Sequence, residues 1–137
     1  MNREILFRGK ETESGEWIYG HYAALNWWLD GSRVHIIIPL YATGYPHCDL
    51  DYCKVDPDTV GQYTGLDDKD GNKIFDGDIL QSDLSTGDIK WNETHASFLM
   101  LTRSATGSMC YVSIDEANTK HMKIVGNIWD SPELLEE

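Results

Sequence analysis

Residues 67–79, DDKDGNKIFDGDI, are the segment whose residue types come nearest to doing chemistry, because clustered aspartates invite a cation. A calcium loop takes oxygen ligands from positions 1, 3 and 5, needs glycine at 6 for its sharp turn, and closes with a bidentate glutamate at 12. Counted from Asp68, Asp70 and Asn72 fall at positions 3 and 5, but Lys73 stands at 6 and Ile79 at 12. Both diagnostic residues are missing. The segment reads instead as turn chemistry: Asp70-Gly71 tolerates the positive φ of a tight hairpin, and Asp76-Gly77-Asp78 makes a second turn leading into Ile79 and Leu80.

A second cluster, His47-Cys48 with Cys53, has the donor types of a zinc clip, with His35 further back. Zinc asks for four nitrogen or sulfur ligands, usually as two close pairs. Here four residues separate the cysteines, and His21, His95 and His121 lie at unrelated spacings. The cluster reads as a loop of reduced thiols. Ser14 and Ser108 each adjoin a glycine, yet neither sits in a Gly-x-Ser-x-Gly elbow. With 23 carboxylates, a pair at glycosidase spacing would arise by chance. No glycine-rich phosphate loop of a common type is present. These observations assign no catalytic residue, no cofactor and no metal, and the chain is expected not to be an enzyme.

Charge narrows the partners. Eleven basic residues against 23 acidic ones give −12, and Lys and Arg occur singly along the chain. Such a field repels a phosphate backbone and draws basic proteins, so nucleic acid is disfavoured and a basic host protein is a candidate partner. No apolar run approaches the ~20 residues that span a bilayer, so no membrane partner is expected. The N-terminal residues are charged from the third onward, without a secretory apolar stretch. Three cysteines cannot all pair within one chain, which favours reduced thiols and a cytoplasmic location.

The elements that must position these residues read as mostly β. Residues 16–22 and 34–40 carry strand patterns, the second with Pro39 confining it to an edge or an end. Between them residues 23–29 hold Trp27 and Trp28, and Asp30-Gly31 closes a turn, as in a hairpin with a wide aromatic tip. Further strands are expected at 74–75, 78–82, 88–92 (after a Thr86-Gly87 turn), 97–102, 109–114 and 123–129. That spacing suits a small barrel or sandwich, and the order of turns resembles an SH3-like meander. A short helical turn is expected near residues 113–118, capped by Ser113 or Asp115. A better helix is expected over 131–136, where Ser131 caps and Pro132 takes the first helical position. Residues 1–57 would form a β-hairpin lobe and residues 58–137 the barrel-like part, with a soft boundary at 55–58.

Aromatic residues supply the candidate surface. Trp17, Tyr19, Tyr22, Trp27 and Trp28 lie within twelve residues. Alternation puts Trp17 and Tyr19 on one face of a strand. Packing in a core is the plain explanation; an interface is the functional one, because Trp and Tyr are enriched at binding hot spots. Trp17, Tyr19, Trp27, Trp28, Leu134 and Leu135 are the expected interface residues. Gln62, Tyr63 and Thr64, between Gly61 and Gly65, are the expected lining of a groove. Trp91 and Trp129 are expected in strands, in the barrel core.

Three stretches carry a family resemblance. Residues 60–66, VGQYTGL, followed by the Asp-Lys-Asp-Gly-Asn-Lys turn and residues 74–79, IFDGDI, resemble the signature of the YopX protein family. Residues 7–10 and 15–20 resemble its opening, and residues 124–135 its close. Residues 23–54 carry no matching motif. The resemblance implies an origin in a bacteriophage or a prophage, hence a bacterial host cell, and it implies a fold; it carries no mechanism. The expected function is a non-enzymatic phage or prophage accessory protein that forms a homo-oligomer or binds a protein partner. Two alternatives stand beside it: an acidic nucleic-acid mimic that occupies a basic host protein, and an SH3-like module for a small ligand or nucleic acid.

Overall fold

The structure is a computed structural model, and it describes residues 3–26, 29–39, 52–103 and 107–136. Trp27, Trp28, His47 and Cys48 lie outside the described residues. The chain is mostly β, as its alternation predicts. It divides into two compact units, Met1–Gln62 and Tyr63–Glu137.

The first unit holds β1 (Phe7–Lys10), β2 (Trp17–Asn26), β3 (Arg33–Pro39) and β4 (Cys53–Lys54). They pair antiparallel in the order β4-β3-β2-β1. Gly61 and Gln62, the opening residues of β5 (Gly61–Asp67), pair with Arg8 and Phe7 on the far side of β1. Ile18, Ile37, Cys53 and Val55 form the core, with Tyr22 and Val60 packed against them. The expected hairpin is present as β2 and β3, with residue 40 outside the described residues, and β2 runs further than expected because its ladder with β3 continues to Asn26 opposite Arg33. Asp30 accepts the Ser32 N–H in the turn between them. Cys53 is disulfide-bonded, which corrects the expectation of reduced thiols. An odd cysteine count leaves one thiol over, here the free Cys110, and does not forbid a bond elsewhere.

In the second unit the later residues of β5 pair with β6 (Lys73–Phe75). A five-stranded antiparallel sheet follows, built from β7 (Asp78–Gln81), β8 (Thr86–Asn92), β9 (Ser97–Arg103), β10 (Met109–Ser113) and β11 (Lys123–Asn127). Its order is β10-β9-β8-β7-β11. That order suits the SH3-like expectation, although the described pairings form an open run from β10 to β11. Ile74, Leu80, Ile89, Met100 and Met122 make the core on one face, joined by Leu66, Phe98, Val112, Ile114 and Ile124. The other face buries Ile79, Asp88 and Leu101, which register places in one row across β7, β8 and β9. Helix α1 (Glu116–Thr119) bridges β10 and β11, with Asp115 and Asn118 forming a reciprocal capping box.

Four local expectations are corrected. Thr86 and Gly87 lie in β8, and the turn before it is made by Ser82, whose hydroxyl accepts the N–H groups of Leu84 and Ser85. Gly87 is there for close approach: a Cβ would sit 2.4 Å from the Leu101 carbonyl oxygen. The C-terminal element is a four-residue 3-10 turn, Pro132–Leu135, and the Ser131 side chain makes no cap bond. So short a segment lacks the length to propagate an α-helix. Trp91 is in β8 but 49 % exposed, stacked edge-on against Phe98. Trp129 lies beyond the end of β11, because Asn127 Oδ1 accepts the N–H groups of Trp129 and Asp130 and turns the chain out of the sheet.

Candidate functional site

The aspartate-rich segment is satisfied by main chain. Asp68 is buried, and its Oδ1 accepts the N–H groups of Asp70 and Asn72, each at 2.9 Å. Its Oδ2 accepts the N–H of Ile124 at 3.1 Å, tying the hairpin turn to β11. Burial pushes the Asp68 carboxyl up, but the three main-chain donors outweigh it and the net effect is a lowered pKa. Asp78 Oδ2 likewise accepts the Phe75 N–H across the second turn. Among the described residues, no group of three His, Cys, Asp or Glu side chains is placed to hold a metal ion.

The proposed groove residues take structural positions. Tyr63 is buried against Phe75, and its hydroxyl donates to Asp67 Oδ1, with the Lys73 ammonium 4.9 Å from the ring centre. Thr64 donates to the Ile74 carbonyl, and Gln62 is half-buried in the ladder with β1. Trp17 and Tyr19 are half-buried. The Arg8 guanidinium lies 4.6 Å above the Trp17 ring and the Lys10 ammonium 5.4 Å from it, so that indole serves as a platform for cations. Leu134 is 40 % exposed, Leu135 is half-buried, and Trp27 and Trp28 lie outside the described residues.

One region of the second unit combines exposure, apolar character and unused bonding capacity. Among the described residues β10 ends the sheet and pairs only with β9, through all five of its residues. Met109 is 59 % and Tyr111 54 % exposed, and the free Cys110 between them is also exposed. Beside β10 lies a surface depression of about 600 Å³, lined among others by Ser82, Ser85, Thr86, Thr102, Arg103 and Cys110. Its hydroxyls have tasks within the fold. Ser82 bonds to Ser85, Thr86 accepts from Gln81, and Thr102 donates to the Cys110 carbonyl. None of these bonds joins a hydroxyl to a general base.

Arg103 gives the depression little positive field. Its Nη1 lies 3.1 Å from Oδ1 of Asp88, which is 0 % exposed, and Lys90 Nζ stands 3.8 Å from Oδ2 of the same carboxylate. Two cations thus bracket one buried anion, as a charge removed from water requires. The arrangement can orient side chains and present a strand edge; it does not assemble a nucleophile, a base and an oxyanion site. Sequence reasoning found β10 as a strand and missed it as an edge. No local signal marks the edge, because the position is set by pairing with residues 99–103.

A family model described as YopX protein matches residues 6–136. None of the curated proteins matches the chain. Among solved structures, the crystal structure of protein EF1440 from Enterococcus faecalis is similar, at 26 % identity and a TM-score of 0.48, covering 98 % of this chain and 100 % of that one.

Proposed function

We propose that this chain, which belongs to the YopX protein family, is a non-enzymatic accessory protein of phage or prophage origin that acts by binding protein, copies of itself included. The observation that carries this reading is the place of β10 at the end of the sheet among the described strands, with Met109 and Tyr111 exposed. Main-chain donors and acceptors on such an edge are a template for another strand. The engagement of Asp68, Asp78, Tyr63, Thr64 and Ser82 in bonds within the fold supports a binding role over a catalytic one. Light scattering over a concentration series, paired with affinity capture from a bacterial host lysate, tests it. A mass that rises with concentration, or a stoichiometric captured partner, is expected. A strictly monomeric chain that captures nothing overturns it.

The charge of −12 favours a second reading, an acidic mimic of nucleic acid held by a basic host nuclease or repressor. Several carboxylates are already committed locally: Asp30, Asp56, Asp68, Asp78 and Asp115 each accept a main-chain N–H. Capture of a basic partner that dissociates as salt rises separates this reading from self-association. The first reading also places the protein in the cytoplasm of the host cell. The bond at Cys53 pulls against that compartment, and thiol labelling in freshly lysed cells decides between the two.

A further inference from the structure

We propose that β10 pairs with β10 of a second copy, antiparallel about a two-fold axis at Tyr111, so that two five-stranded sheets become one. The inference rests on the binding role above and names its partner and its surface.

The two edges of the sheet are treated differently. β11 carries Lys123 at its start and a register shift between Ile124 and Gly126, and Leu134 and Ser131 sit against Gly126. Charge, irregularity and a covering segment are the usual devices that keep an edge from pairing. Among the described residues, β10 has none of them. Its residues, Met109-Cys110-Tyr111-Val112-Ser113, include no charge and no proline, and its ladder with β9 is regular throughout. Among the described strands only β9 pairs with it, so its outer edge has main-chain groups to offer another strand.

The second copy fits that edge on electrostatic grounds. A chain at −12 repels its own kind over most contacts, so self-association needs a strip without acids. An antiparallel pairing about Tyr111 sets Met109 opposite Ser113 and Cys110 opposite Val112, and puts the two Tyr111 rings side by side. No like charges meet, and the central pair is aromatic, a favourable cross-strand combination. The contact is isologous, so it closes at two copies without growing into a fibre. A five-residue edge buries far less than the ~1,600 Å² of a standard interface, so the dimer is weak and reversible.

Three samples of the full chain test this: wild type, Tyr111→Lys, and the double variant Cys110→Ser/Tyr111→Cys. Tyr111 is exposed, so both substitutions are expected to leave the circular dichroism spectrum unchanged. Wild type should dimerise with rising concentration. Tyr111→Lys should weaken the dimer by roughly tenfold or more, because two ammonium groups then face each other at the axis. On mild oxidation the double variant should give a covalent dimer whose linkage maps to position 111 of both chains, since directly opposed strand residues lie within disulfide reach. A Tyr111→Lys dimer as tight as wild type, or an oxidised double variant without that linkage, overturns the β10 pairing and leaves self-association standing through another surface. A wild type that stays monomeric overturns it as well, and capture of a host protein would then keep the binding role alive.

Discussion

Asp68 gathers three main-chain donors from two parts of the second unit. It offers one oxygen to the hairpin turn at Asp70 and Asn72 and the other to Ile124. Replacement by Ala leaves three N–H groups without their acceptor, and the expected cost is about 2–4 kcal/mol in a urea melt at neutral pH. Its depressed pKa sets the sign of the pH dependence. The stabilisation is fully present above the ordinary value of 3.8 and is lost as pH falls through the lower folded-state value. The stability gap between wild type and Asp68→Asn should therefore shrink in melts below about pH 4, where the unfolded carboxyl also protonates. A gap that widens in acid would contradict this assignment. The hairpin role of Asp70-Gly71 was legible from the dipeptide, and Gly71 does adopt positive φ. The bond from Asp68 to Ile124 was not, because its donor lies 56 residues away and nothing local announces it.

Gly77 links the β6–β7 turn to the segment after β11. Its φ is +93°, and a Cβ there would lie 2.3 Å from the Trp129 ring. Gly77→Ala is expected to cost about 2–3 kcal/mol, from backbone strain together with displacement of the indole. Combining it with Trp129→Ala should cost less than the sum of the two single changes, since the second removes the obstacle the first meets. Strict additivity in denaturation midpoints would show that the two do not share a site. Strand positions were largely readable from alternation and turns. The exit of Trp129 from the sheet was not, because it depends on the Asn127 side chain accepting two N–H groups that a strand would have used otherwise. Likewise the pattern of residues 109–113 announces a strand, while its place at the end of the sheet is decided by pairings with residues 99–103.

At the scale of the whole molecule, charge discriminates between partners. Two copies at −12 repel, so a homotypic dimer should tighten as salt is raised from about 10 mM to 150 mM and the repulsion is screened. A complex with a basic host protein should loosen over the same range. The acidic balance was legible from composition alone; which described strand ends the sheet was not, because that depends on pairings between strands. Sedimentation equilibrium of wild type beside Tyr111→Lys tests the central claim most directly. Association through the β10 edge predicts a wild-type mass climbing with concentration from 15.6 kDa toward twice that value, while Tyr111→Lys stays near 15.6 kDa at the same concentrations. Identical mass curves for the two proteins would contradict it.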